Sequence, residues 1–256
     1  MILTGLAAGL AAPASLALPL LAQGNFGANP ISTLLLLVMI TLLPFVLMMS
    51  TSFLKFAVVL SILRTAMGTQ QVPPTPVIMG LAIILSIYVM APIGAEMGEL
   101  LGDELTGDQQ IEVLSGSGAR SLLDSMGRAR EPLRRFLLVH AHPDDVTVFL
   151  DYARTMYSSL PGKEDVVADS DMPQEDDMLV LIPAFAISEL SEAFAIGFLL
   201  FLPFLIIDMV VASVLLAMGM HMLSPVVVSL PFKLLLFVMI DGWRLITQGL
   251  MQTYIT

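Results

Sequence analysis

Cysteine is absent from the 256-residue chain, which removes disulfide frameworks, thiolate metal sites and cysteine nucleophiles together. Charge is scarce too: Asp, Glu, Lys and Arg make up 13% of the residues, about half of what a soluble domain carries. Residues 1–54 hold none of these four and no His. No Gly-rich phosphate loop, Ser-His-Asp set or basic aromatic surface can be found, so nucleotide and nucleic-acid roles have no support.

What fills the chain instead is apolar: 57% of residues are hydrophobic, the composition of a protein whose solvent is partly lipid. The charges are sharply segregated. Residues 96–177 contain 18 acidic and 7 basic residues, an excess equal to the whole net charge of −11. Outside that block Lys55, Arg64, Lys233 and Arg244 stand against Glu189, Glu192, Asp208 and Asp241. Equal numbers suggest pairing. An acidic connector, poor in Lys and Arg, fits the translocated side of a membrane, so the block is placed outside the cytoplasm.

Four segments follow. Residues 1–30 form an apolar N-terminal extension, whose run to Leu20-Leu21-Ala22-Gln23 reads as a signal-peptide apolar region without the basic start; a displaced start codon or an extra apolar helix are the other readings. Residues 31–95 form a hydrophobic helical hairpin. Its stretches 31–54, interrupted by Pro44, and 77–95 are each about long enough to cross a ~30 Å hydrocarbon layer. Residues 96–178 are the acidic block, with a helix opening at Glu131-Pro132, a second opening at Asp144 and Asp145, and a flexible acidic linker from Lys163. Residues 179–256 return to apolar sequence, but as broken-helix hairpins: 178–188 and 193–207 are short, and 209–232 is interrupted at Gly219 and Pro225. Pro203 and Pro231 add two further expected breaks. Irregular backbone at membrane depth is tolerated where protein or a water-filled cavity satisfies it, so the breaks point to a conduit.

Three constellations invite chemistry. Ala141-His142-Pro143-Asp144-Asp145, after the strand-like Phe136-Leu137-Leu138-Val139, resembles the zinc-binding signature of N-acetylglucosaminyl deacetylases, in which His and Asp ligate the metal. That family needs a full α/β domain and a distant third ligand, which the block is too short to supply. Lys233 stands in an apolar segment with no acid within a helical turn. Buried pairing with Glu189 or Asp208, from another segment or subunit, is set against snorkelling to an interface. Finally, 18 methionines are many, and Met218, Met220 and Met222 bracket the Gly219 break. Flexible Met side chains can close a pore and deform around varied polypeptides, although Met more often fills a core.

From residue 31 to the C-terminus the chain resembles the FliP/SctR family of flagellar and injectisome export proteins. The resemblance rests on Thr51-Ser52-Phe53 with Leu63-Arg64, Gly68 through Pro73-Pro74, Pro183-Ala184-Phe185, Ser188-Glu189-Leu190 with Ala193-Phe194, Pro203-Phe204 through Asp208, and Leu230-Pro231-Phe232-Lys233 followed by Asp241-Gly242-Trp243. The runs from Phe53 to Val59, from Gln70 to Pro74 and from Tyr88 to Pro92 look more like the injectisome branch.

The resemblance implies an all-α, membrane-associated protein of helical hairpins that assembles as a homopentamer in a ring-like export gate. It implies partners of the FliQ/SctS and FliR/SctT types, the FlhA/SctV-type and FlhB/SctU-type proteins, and unfolded secreted proteins as cargo. It places the assembly at the bacterial inner membrane, largely on the periplasmic side, with the loop of Met218, Met220, His221 and Met222 as a gasket. No cofactor and no catalysis are expected. The chain departs from the family pattern twice: the family's Gly-Met-Met-Met is here Gly219-Met220-His221-Met222, and a position often basic in relatives is Glu192. A secondary transporter or ion-coupled channel, and more remotely a metal-dependent deacetylase, are the competing readings.

Overall fold

The computed structural model describes residues 30–69, 72–105, 116–159 and 172–255. The apolar extension 1–23, the linker that follows it and most of the acidic linker lie outside the described residues. Those described are helical. In chain order the helices are α1 (Pro30–Met49), α2 (Phe53–Ala66), α3 (Thr75–Leu105), α4 (Gly116–His140), α5 (Pro143–Ser158), α6 (Met178–Ala217), α7 (Pro225–Met239) and α8 (Gly242–Gln252). The chain divides between residues 47 and 48, and the packing below concerns the part from 48 onward.

α6 is the spine. Its N-terminal half packs Val180, Leu181, Ala184 and Phe185 against Phe136 and Leu137 of α4 and Val146 and Leu150 of α5. Further along, Ala193 and Phe204 join a second core with Phe56, Val59, Leu60 and Leu63 of α2, Ile78 and Ala82 of α3, Phe237 of α7, and Ile246 and Leu250 of α8. At Gly197, α6 lies directly against Ile62 of α2. A Cβ there would stand 2.4 Å from Ile62 Cδ1 and 3.0 Å from its Cγ2. Gly197→Ala is therefore expected to overpack this crossing and lose about 1–3 kcal/mol, read as a lower thermal midpoint in detergent.

Several expected boundaries move. The 31–54 stretch does not break at Pro44, which lies inside α1; the break falls at Ser50-Thr51-Ser52, and Lys55 and Arg64 belong to a separate helix. Hydroxyl side chains compete locally for backbone groups, and Thr51 Oγ1 accepts from the Phe53 N–H at 3.4 Å. α4 begins at Gly116 and runs through Pro132, so Glu131-Pro132 opens no helix and Phe136-Leu137-Leu138-Val139 is no strand. The Glu131 carboxyl pairs with Arg134 at 2.7 Å, a hydrogen bond that holds it below the usual carboxylate range.

The largest correction concerns α6. Segments 178–188 and 193–207 are one unbroken 40-residue helix, which passes Pro183, Glu189, Glu192, Pro203 and Asp208. Pro231 likewise lies inside α7. A proline forfeits one backbone hydrogen bond, and here the apolar run on both sides carries the helix past it. Gly219 and Pro225, by contrast, do sit at the α6–α7 break. Thr75–Leu100 and Met178–Ala217 are long and apolar enough to cross a membrane, and α7 with α8, bent by 61°, make a third candidate.

Candidate functional site

Three local arrangements gather the buried lysines and the clustered methionines of the apolar sequence. The first centres on Lys55, 1% exposed. Its ammonium lies 3.0 Å from Glu189 Oε1 and 2.7 Å from Glu192 Oε2, and 4.4 Å over the ring of Tyr254. The two carboxylates fall one helical turn apart on the face α6 turns toward α2. Tyr254 donates to Glu189 Oε2. Burial, reinforced by that carboxylate, pushes the phenol far up, so it stays a donor.

The second arrangement answers the question of Lys233. Its ammonium is 2.7 Å from Asp208 Oδ2 and donates to the Ala66 carbonyl at 3.2 Å, while Ser229 donates to Asp208 Oδ1. Of the two expected partners Asp208 is the one used, and Glu189 serves Lys55. Both pairs are made within one chain, so neither lysine requires a second subunit for its counter-charge. Nor does Lys233 snorkel; it is buried. By receiving a cation at its last turn, α2 also gains a favourable end to its macrodipole. Of the other two cations, half-buried Arg64 donates to Thr75 Oγ1, and exposed Arg244 lies 4.0 Å from Asp241.

The third is the loop between α6 and α7. Met220 N–H returns to the Leu215 carbonyl at 2.9 Å and Gly219 N–H to Leu216 at 3.0 Å, the paired bonds of a Schellman motif. Gly219 takes φ +72°, which a residue without Cβ adopts at little cost. Ser224 and then Pro225 start α7, proline fitting the first helical position. The loop between is apolar and bare: Met222 is 99% exposed, and Met218, Met220 and Leu223 are exposed as well. Beside it, α6 and α7 line an open apolar groove of about 650 Å³ to which Met218 and Met220 contribute.

The FliP family profile matches residues 36–250, a span that includes all the residues of these arrangements except Tyr254. The chain belongs to the FliP family. It is 42% identical over 226 residues to the Yop proteins translocation protein R of Yersinia pestis, covering 88% of this chain and 97% of that protein. The Hypersensitivity response secretion protein HrcR of Ralstonia nicotianae is 41% identical over 223 residues, 87% and 96% of the two lengths. The Flagellar biosynthetic protein FliP of Bacillus subtilis is 40% identical over 227 residues, 89% and 93%. The chain is a component of the type III secretion export apparatus, a transport protein and not an enzyme.

Sequence reasoning named Glu189, Asp208 and Lys233 but left Lys55 without a role and missed Tyr254. The signal for Lys55 was present. It too stands in an apolar run, and Glu189 and Glu192 share one helix face three residues apart.

Proposed function

We propose that this FliP-family chain is a pore-building subunit of the export gate, assembling as a homopentamer and passing unfolded proteins across the bacterial inner membrane. The observation that carries the reading is the α6–α7 loop, where four large apolar side chains surround a tight glycine turn. Exposed apolar clusters of this kind call for a covering surface. In a ring the loops of neighbouring copies meet, and Met218, Met220, His221 and Met222 supply a deformable seal. Gly219 and Pro225 fix the turn that presents it. Partners of the FliQ/SctS and FliR/SctT types complete the gate, with FlhA/SctV-type and FlhB/SctU-type proteins beside it. The gate stands largely on the periplasmic side, and the acidic block lies outside the cytoplasm. Sequence identity differs little between injectisome and flagellar relatives, so the injectisome assignment rests on the runs around Phe53, Gln70 and Tyr88.

The transporter reading drew on fractured helices, and α6 is continuous. Native mass of the detergent-extracted chain, alone and with the two small hydrophobic partners, tests the proposal. A five-fold species that gains partner mass supports it, and a monomer or dimer indifferent to the partners refutes it. Truncating Met220 or Met222 to Ala is expected to raise ion leakage through the closed complex, measured as membrane conductance. Histidine changes charge between about pH 5 and 8, so a charged His221 would disfavour the apolar seal, and leakage is expected to rise toward pH 6. His221→Met should remove that dependence; an unchanged pH profile refutes the role of His221.

A further inference from the structure

The Ala141-His142-Pro143-Asp144-Asp145 string has no part in the gate reading. The structure gives it a different setting from a metal site. His140 ends α4 and Pro143 begins α5, so Ala141 and His142 are the elbow of the acidic hairpin, and that elbow rests on α6. The His142 N–H donates to Ser188 Oγ at 2.9 Å, and the Ser188 hydroxyl lies 2.6 Å from Asp145 Oδ2. His142 Nε2 lies 2.7 Å from Glu192 Oε1. The other oxygen of Glu192 is the one held by Lys55. One carboxylate is thus shared between a buried ammonium and an imidazole that is 49% exposed.

We propose that His142 is a proton-operated clasp that fastens the α4–α5 hairpin to the buried Lys55 cluster when its ring is charged and loosens it when the ring is neutral. The charge count gives the direction. Lys55 brings one positive charge to the two carboxylates Glu189 and Glu192, so a protonated His142 makes the group neutral and a neutral one leaves it anionic. The charged and titratable groups around the clasp are Lys55 from α2, His140 from α4, Asp144 and Asp145 from α5, Glu189 and Glu192 from α6, and Tyr254 from the C-terminal turn. Asp145 is occupied by Ser188, and His140 Nδ1 by the Phe136 carbonyl at 2.9 Å. His142 alone joins the hairpin elbow to the carboxylate that Lys55 already holds. Apolar packing of Val146 and Leu150 against Val180 and Leu181 persists in both states. The clasp therefore governs local opening of the elbow rather than undocking of the hairpin.

Hydrogen–deuterium exchange of the α5 amides, on the purified full chain in detergent and corrected for intrinsic amide rates, tests this at pH 6 and pH 8. Exchange is expected to be about fivefold faster at pH 8, the order of change when a hydrogen bond loses its charge. His142→Gln should exchange at the fast rate at both pH values, as should Glu192→Gln, while His140→Phe keeps the dependence. A flat profile in the wild-type chain overturns the proposal. So does a pH dependence that survives in His142→Gln or disappears in His140→Phe. If His142→Gln does not fold, the profile of Glu192→Gln against wild type decides alone, and a retained dependence there overturns the clasp.

Discussion

Lys55→Ala is expected to destabilise the folded chain by about 3–5 kcal/mol, the usual cost of removing one partner from a buried ion pair. Lys55 and Glu189 are each 1% exposed, so the orphaned carboxylate has no solvent to fall back on. The loss also strips Glu192 of its buried cation and brings two acids on one α6 face together without a counter-charge between them. Tyr254 still donates to Glu189, which moderates the effect without removing it. In a chain of this size each kcal/mol moves the thermal midpoint by about 2–4 °C, so a fall of roughly 10 °C is expected in a detergent melt followed by circular dichroism. Replacing both partners by apolar residues, Lys55→Met with Glu189→Leu, should recover much of it, because no unpaired charge is then left buried. An unchanged midpoint for Lys55→Ala would mean that water reaches Glu189. Glu192→Gln should cost less than Lys55→Ala, since Glu192 is a third exposed and solvent screens its interactions.

The sequence showed where these charges must be paired, but not how. Four cations against four acids in the apolar half implied mutual neutralisation, and two of the cations are so neutralised in the core. Which acid met which cation depended on the length of α6. With 178–207 divided into short pieces, Glu189 and Asp208 were interchangeable partners for Lys233. As one continuous helix they lie nineteen residues apart along a rod, about 28 Å at 1.5 Å per residue, and each can serve only the lysine at its own level. The mistake came from counting prolines as breaks. Pro203 and Pro231 each forfeit one backbone hydrogen bond, but neither is accompanied by a residue that stops a helix. At the α6–α7 loop three signals coincide: Gly219 with φ +72°, the Ser224 cap position, and Pro225 at the first position of the next helix. That break was legible for this reason. The acidic hairpin was legible in its second helix, where Pro143, Asp144 and Asp145 suit a helix start. The role of His142 was not, because its partners Ser188 and Glu192 lie about fifty residues downstream on a helix whose course the sequence did not give.

Lys233→Ala should cost about 3 kcal/mol, toward the low end of the buried-pair range because Asp208 is 24% exposed and part of its charge is solvated. Its consequence for assembly is expected to exceed its cost in stability. The ammonium joins three elements: Asp208 on α6, its own helix α7, and the Ala66 carbonyl at the end of α2. Gly68, at φ +75°, packs beside it, with room for a Cβ only 3.6 Å from the lysine Nζ and from Val226. Removing the lysine frees α7 from α2 and leaves Ser229 as the remaining hold on Asp208. The α6–α7 hairpin that carries the methionine loop then loses its fixed angle to the rest of the chain. A lower thermal midpoint and loss of the proposed complex with the two small partners are therefore expected together. Asp208→Asn, which keeps one oxygen to accept from Lys233 and puts an amide donor where Ser229 can accept, should show a milder form of both effects. A variant that assembles normally with an unshifted midpoint would mean that the Lys233 ammonium reaches interfacial water in the membrane-embedded protein, and that α7 is positioned by its apolar contacts, Phe237 against Phe204 foremost.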